Sequence, residues 1–344
     1  MNFFKIRIPG QPPTAGCSDL LVEDVNTPDT PGFIYSEFEE NPCIYLIPTD
    51  RTSLSDEEVS RWSHENDLQS EMYMPFIKES TPKEIHLSVI KQLREATTRW
   101  ISSRYPHTKA IASRTLRTVC RLSPSVIFNL LCEKYPSACV FLFSTRRHGT
   151  WIGATPEIIL TSDADRLLSV SLAGTRPASC RHELRREWDL KNIEEQAIVT
   201  DFITSTFKAY GLIPITKGPD TIKAGPVEHL YTEICAEGIC KNFLLLKSLC
   251  PTPALSGFPR EAAIEAIRNS ERDPRQCYGG LIGIVREDGS FSTFANLRSG
   301  RLDTPKQQIE LHAGGGITPL SDAEKEWEET EIKLSTLQKI IVFR

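Results

Sequence analysis

The sequence has no apolar run long enough to cross a bilayer. Its densest stretches, such as Leu244-Leu-Leu246, fall far short of the roughly 20 residues that a helical span needs. Nothing before Pro9 has the length of a signal-peptide core: Met1-Asn-Phe-Phe-Lys-Ile-Arg7 is interrupted by charge. No basic run occurs, and a net charge of −5 argues against nonspecific nucleic-acid binding. The ten cysteines make no C-x-x-C pair and no Cys/His cluster with zinc spacing; Cys235 and Cys240 come closest and lack a matching second pair. Reduced thiols in a cytoplasmic protein are therefore expected, with neither membrane nor nucleic acid among the partners. Internal repeats, low-complexity tracts and an evident linker are missing as well, which favours one domain over two.

What is present suits a globular chain. Of 344 residues, 40% are apolar and 25% charged, enough to bury a large core without disulfides. Residues 1–80 carry little pattern apart from the apolar run Cys43–Ile47, which reads as a buried strand, and a charged, exposed stretch from Ser53 to Ser70. Thr81, Pro82 and Glu84 have the form of a helix start with a capping box, and Ile85, Val89, Leu93 and Trp100 then recur at helical spacing. Strands are expected at 109–114, 138–143, 150–153 and 157–160, with Arg147-His-Gly149 as a hairpin turn. Helices follow at 185–210 and 259–270. Strands return at 279–286, 290–298 and 307–313, with Asp288-Gly289 turning between the first two. A helix from Ser321 to Ile341, with Ser321 and Glu324 as its capping box, ends the chain. Hairpin strands with a few long helices make an α+β architecture.

Projection at 100° per residue gives the sharpest signal. On the helix around 191–208, Glu195 falls in the middle of the arc formed by Ile198, Val199, Phe202 and Ile203, whereas Glu194 and Asp201 fall on the polar side. On the last helix, Trp327, Thr330, Leu334, Leu337 and Ile341 form the buried stripe, and Glu326, Glu329 and Lys333 line its edge. A carboxylate facing the core is costly unless paired. Glu329 and Lys333 also suit an ordinary i,i+4 surface pair, so spacing alone leaves two readings open: a solvated face, or carboxylates from two helices around a hard cation. Ala313-Gly-Gly-Gly-Ile317 follows a strand and could present amides to an anion, or simply turn the chain.

The segments fall in a specific order: Lys109-Ala-Ile-Ala-Ser-Arg114, Gly153-Ala-Thr-Pro-Glu157, Leu172-Ala-Gly-Thr175, Lys191-Asn-Ile-Glu-Glu195, His229-Leu-Tyr-Thr232, Pro251-Thr-Pro-Ala-Leu-Ser-Gly257, Pro259-Arg-Glu-Ala-Ala263, Tyr278-Gly-Gly280, Arg298, the Gly314 segment and Glu326-Trp-Glu-Glu-Thr330. In that order they resemble the chorismate-binding family of isochorismate, salicylate, anthranilate and aminodeoxychorismate synthases, from about Thr81 to Leu337. The resemblance implies a single-domain, anthranilate synthase component I-like α+β fold: two packed antiparallel sheets with flanking helices. Residues 81–344 would be the catalytic core and 1–80 a weakly matched part of the same domain.

The resemblance also assigns roles. Glu195 and Glu329 match Mg²⁺ ligands, and Glu326 a carboxylate acting through water. Arg298, Lys333 and the Gly314 backbone match the groups that hold the substrate's carboxylates. Gly174, Thr175 and His229 fall on further substrate-binding positions, and Ala254 and Leu255 on the pocket wall. Lys109 matches a general base and Glu157 a general acid, as needed to add water at C2 of chorismate and release the C4 hydroxyl. Ammonia-using relatives carry an uncharged residue where Lys109 stands. Isochorismate is therefore the expected product, feeding menaquinone in preference to siderophore synthesis, made by a monomer that needs no glutamine amidotransferase subunit. The alternatives are a salicylate synthase, which usually has a hydroxylated residue at the position of Ala254, and a catalytically weak chorismate-binding subunit. Two positions depart from the pattern: Asn192 stands where Asp is usual, and Gln196 where His is usual.

Overall fold

The computed structural model describes residues 1–102, 105–178, 187–224, 227–238 and 242–341. In chain order its elements are β1 (Asn2–Arg7), β2 (Thr14–Ser18), β3 (Gly32–Tyr35), β4 (Tyr45–Pro48), α1 (Asp56–Ser70), α2 (Lys83–Trp100), β5 (Lys109–Val119), α3 (Pro124–Lys134), β6 (Cys139–Thr145), β7 (Gly149–Thr155), β8 (Ile158–Asp163), β9 (Arg166–Pro177), α4 (Leu190–Ala209), β10 (Ile215–Ala224), β11 (Val227–Glu237), α5 (Leu244–Leu249), β12 (Gly257–Phe258), α6 (Arg260–Ser270), β13 (Leu281–Val285), β14 (Phe291–Ala295), β15 (Ser299–Asp303), β16 (Gln308–Ile317) and α7 (Ala323–Ile341). They build two eight-stranded sheets, ordered β12-β5-β16-β15-β7-β6-β1-β2 and β10-β11-β9-β8-β14-β13-β3-β4. Both ladders are antiparallel throughout.

The two-residue alternation of strand side chains sorts the core into layers. Phe4 of β1, Phe141 and Phe143 of β6, Phe33 and Tyr35 of β3, and Ile282 of β13 meet between the sheets. Their neighbours along the same strands face outward. Phe3, Val140 and Leu142 pack with Trp62 of α1, Phe128 of α3 and Leu334 of α7 over the first sheet. Ile34, Leu160 and Leu281 pack with Val199, Ile203 and Phe207 of α4 and with Leu245 and Leu246 of α5 over the second. Helix α2 lays Val89, Ile90 and Leu93 against Ala110 and Ala112 of β5. Among the described residues, no helix is long and apolar enough to cross a membrane. The eight described cysteines are free, and Cys240 lies outside the described residues.

Several local expectations are corrected. The stretch from Ser53 to Ser70 is not merely solvated: Ser55 and Glu58 form a capping box, and α1 buries Val59, Trp62, Asn66 and Asp67. Thr81 does not cap α2; its Oγ1 accepts from the Thr115 amide at 3.1 Å and ties the helix start to β5. Ile85, expected in the buried stripe, is exposed. At α7 the cap is Asp322, whose Oδ1 accepts from the Lys325 amide, whereas Ser321 Oγ accepts from the Thr318 amide. Helix α4 begins at Leu190; positions 185 and 186 lie outside the described residues.

One buried carboxylate locks α1 to the first sheet. Asp67 accepts from the Thr150 amide at 2.8 Å, the Thr304 amide at 3.1 Å and the Thr304 hydroxyl at 2.6 Å. Burial lifts its carboxyl up to about 7, against the opposing pull of those donors. The anion is thus penalised in the fold, so stability falls as pH rises toward and through 7. Asp67→Ala orphans the amides and is expected to cost about 3 kcal/mol in urea unfolding and to flatten that pH slope.

Candidate active site

Two of the chain's crossings between the sheets lie side by side, and each carries a charged side chain. Residues 156 and 157 lead from β7 in the first sheet to β8 in the second, and residues 296–298 lead back from β14 to β15. The crossings are tied to each other: the Ala295 amide donates to Glu157 O at 2.9 Å, and the Ala154 amide donates to Arg298 O at 3.2 Å. Arg298 adopts a left-handed backbone, with φ at 49°. Such a conformation is unfavourable for a side chain of this size and is tolerated where the surroundings over-determine it.

Glu157 and Arg298 face a pocket of about 70 Å³. Lys109, Thr175, Glu195 and His229 also line it, as do Ala254, Leu255, Gly314 and Lys333. Ten of the thirteen expected site residues therefore share one cavity. Gly174 stands just behind its wall, with its carbonyl 3.2 Å from His229 Nδ1. Glu326 and Glu329 approach from α7 on the far side of Gly315. Arg275, Tyr278 and His312 also line the cavity; sequence reasoning assigned no site role to Arg275 or His312, and named Tyr278 only as the start of a resembling segment. Arg275 is ion-paired with Glu271 at 2.5 Å and donates to the carbonyls of Leu255 and Ile111, while the His312 ring is stacked between Trp151 and Tyr278. The i,i+4 spacing of Glu271 and Arg275 was a signal for that pair; His312 offered none beyond its place before the glycines.

The glycines are not a loop after a strand, as expected, but the end of β16 itself. Gly314, Gly315 and Gly316 pair with Ser113, Ala112 and Ile111 of β5. Their missing side chains make room for charge. A Cβ on Gly316 would lie 2.2 Å from Glu195 Oε1 and 2.7 Å from Lys109 Cε, and one on Gly315 would lie 3.4 Å from Glu326 Oε2 and 3.7 Å from Glu329 Oε1. Three lysines neutralise these carboxylates. Lys109, 1% exposed, sits 2.8 Å from Glu195 Oε1. Lys191 bridges Glu195 Oε2 at 3.4 Å and Glu326 Oε1 at 3.0 Å. Lys333 lies 2.7 Å from Glu329 Oε1 and donates to Gly314 O at 2.8 Å.

Protonation follows from burial set against these pairs. Burial disfavours the Glu195 anion, but Lys109 and Lys191 together outweigh it and hold the carboxyl well below the usual range. Lys191 is buried too, and Glu195 and Glu326 keep its proton on. Glu326, buried with only Lys191 to oppose the shift and with Glu329 nearby, is pushed up to about 7. Glu157 is also pushed up to about 7 by burial, in spite of Lys109, Lys333 and Arg298, and its Oε1 has no hydrogen-bond partner. Burial lowers Arg298 to about 10.

The acidic set suits a hard divalent cation. Glu195, Glu326 and Glu329 offer only carboxylate oxygens, and Glu326 Oε2 is buried without a hydrogen-bond partner beside the bare Gly315 backbone. Among the described residues, no three acidic, histidine or cysteine side chains are gathered closely enough to hold an ion as they stand. Lysine ammonium groups lie among the carboxylates instead.

A chain of hydrogen bonds holds the opposite wall. Arg298 Nη2 lies 2.9 Å from His229 Nε2, so that nitrogen is the acceptor and Nδ1 carries the proton toward Gly174 O and Thr175 Oγ1. Burial and the nearby Arg298 keep this imidazole neutral. The two unusual carboxamides fix the strand from behind. Asn192 Oδ1 accepts from the Thr175 amide and its Nδ2 donates to Asp189 Oδ1 at 2.8 Å. Gln196 Oε1 accepts from the Ala173 amide, while its Nε2 donates to Ser171 O and Thr232 Oγ1. An Asp at 192 would set one carboxylate against another. Asn192→Asp is accordingly expected to lower stability by about 1–2 kcal/mol at pH 7, and Asp189→Asn in the same chain to restore most of it, as read from a double-mutant cycle of urea midpoints.

Comparison with known proteins bears on what this cavity holds. A profile described as "Chorismate binding enzyme" matches residues 49–342. Isochorismate synthase EntC of Escherichia coli strain K12 is 30% identical over 243 residues, 67% of this chain and 62% of that protein. This chain thus spans less than two thirds of that relative's length. The structure of MenF, the menaquinone-specific isochorismate synthase of Escherichia coli, aligns with a TM-score of 0.76 at 17% identity, covering 99% of this chain and 89% of that one. Anthranilate synthase component I of Streptococcus pneumoniae aligns with a TM-score of 0.65 at 14% identity, covering 97% and 89%. At these identities the structural likeness is one of fold. The sequence match spans most of the chain, however, and takes in the residues that line the cavity, so the protein belongs to the chorismate-binding enzyme family.

Proposed function

We propose that the protein converts chorismate to isochorismate, with Mg²⁺ held by Glu195 and Glu329 and, through water, by Glu326. One observation carries this reading: a buried lysine, Lys109, and a buried carboxyl, Glu157, whose Oε1 has no hydrogen-bond partner, face the same cavity. Lys109, acting as the neutral amine once it has given up the proton that pairs it with Glu195, takes a proton from water as it adds at C2. Glu157 delivers a proton to the hydroxyl leaving C4, and the ring double bonds shift between the two sites. A carboxyl lifted up to about 7 still holds its proton in a large fraction of molecules at neutral pH, as a general acid requires. Arg298 and Lys333 hold the substrate's carboxylates with charge-assisted hydrogen bonds, joined by the Gly314 backbone. Gly174, Thr175 and His229 keep Arg298 aimed, and Ala254 and Leu255 close the apolar side of the ring. The cation, when bound, neutralises the ring carboxylate and makes the leaving step easier.

Residues 81–344 carry this chemistry in our reading. Residues 1–80 supply β1–β4, which complete both sheets, together with α1, which covers the first. The free cysteines suit a reducing cytoplasm. The reaction needs no ammonia, so no glutaminase partner is invoked and a monomer suffices. Menaquinone synthesis is the preferred fate of the product.

Purified protein incubated with chorismate and Mg²⁺ is expected to give isochorismate by chromatography, and a chelator to stop it. Salicylate with pyruvate would point to a salicylate synthase, and tight binding without turnover to a non-catalytic subunit. Lys109→Ala is expected to lower kcat by at least about a hundredfold with the fold intact. Full activity in that variant removes the base assignment. The Glu157 carboxyl works protonated, so kcat/KM is expected to fall as pH rises through about 7, as read from a pH–rate profile.

A further inference from the structure

The cavity is small as it stands: its free space of about 70 Å³ has room for a few waters, so a ring acid needs lining side chains to shift. Two wall residues, Pro156 and Arg298, also line a second, open groove of about 660 Å³ on the other side of the sheet crossings. Tyr135 and Tyr231 give it aromatic faces. Among the described residues that line it, the charged ones are all cationic: Lys134, Lys223, Lys339 and Arg298. On a chain whose net charge is −5, such a one-sign concavity is unusual. Lys134 and Lys339 sit in the last turns of α3 and α7, where the helix dipole favours a cation. That accounts for two of the lysines. It accounts neither for Lys223, on β10, nor for the lack of carboxylates among the described lining residues.

We propose that this groove is an anion-binding vestibule through which a small dicarboxylate reaches the cavity, with the Arg298 side chain as the gate between them. The proposal rests on the reading that the cavity takes chorismate. Arg298 is suited to the task because it belongs to both spaces. Its guanidinium is tethered to His229 Nε2 at 2.9 Å, and its backbone is held by the Ala154 amide. A dianion in the vestibule draws the guanidinium off the imidazole. The same guanidinium then follows its carboxylate inward, so the gate becomes the clamp. Lysines spread along the groove raise the local concentration of dianion within about one Debye length, roughly 8 Å at physiological salt.

The test uses the full chain carrying Lys134→Glu, Lys223→Glu and Lys339→Glu together, with the corresponding triple Gln variant as a milder control on folding. Steady-state kinetics with chorismate and Mg²⁺ are run at low and at high salt. At low salt the Glu variant is expected to show KM raised about tenfold or more and the Gln variant a smaller rise, with the loss carried by KM rather than kcat. High salt should shrink the gap, because wild-type KM rises with salt while that of the Glu variant changes little or falls. Equal KM values at low salt, or equal salt slopes, overturn the vestibule. Chorismate binding is measured in parallel by quenching of intrinsic fluorescence. If the wild type binds chorismate without turning it over, the catalytic reading fails and the salt slope of binding still decides the vestibule. If it does not bind chorismate, both fall.

Discussion

Everything in this site depends on burying charge in balance. Lys109, Lys191, Lys333 and Arg298 face Glu157, Glu195, Glu326 and Glu329 across a few residues of bare backbone. An unpaired buried ion costs several kcal/mol, so none of these side chains can be placed singly. The balance is not complete, however. Glu157 and Glu326 are both lifted toward neutrality by burial, so the cations are in local excess. A pocket in that condition attracts an anion.

The fold makes such a cluster possible by crossing from sheet to sheet twice at one place. Strand interiors deliver side chains alternately to the inter-sheet core and to the outer helices, and neither environment suits a charged group. The crossings escape that alternation. Glu157 and Arg298 sit on adjacent crossings held together by backbone hydrogen bonds, opposite the glycine-ended strand β16 and between helices α4 and α7. Arg298 keeps its strained backbone because its carbonyl and its guanidinium are both fixed by neighbours.

Much of this was legible in the sequence, but unevenly. The projection that set Glu195 within an apolar arc was right, because the 3.6-residue period survives tertiary packing: the side chain is buried beside Lys109. The hairpins around Gly149 and Gly289 were legible for the same reason, since turn chemistry is local. Strand β15 was illegible. Ser299-Gly-Arg-Leu-Asp303 reads as polar surface, yet it is wholly buried, with the Arg301 guanidinium over the Phe76 ring and bonded to Ser70 and Gln276. The first 80 residues were obscure because their strands are short and pair across long sequence separations, β1 with β6 and β3 with β13. The cap assignments at Thr81 and Ser321 failed because both hydroxyls had better partners elsewhere in the fold. The convergence of α4 on α7 lay beyond any local pattern.

The left-handed backbone at Arg298 carries an evolutionary corollary. Glycine would relieve the local strain, a gain of about 1 kcal/mol or more, but it would delete the guanidinium. Selection for robustness and selection for turnover therefore pull this codon in opposite directions. Under relaxed demand for catalysis, drift to glycine there would be among the earliest marks of a copy that still folds but no longer holds its ligand.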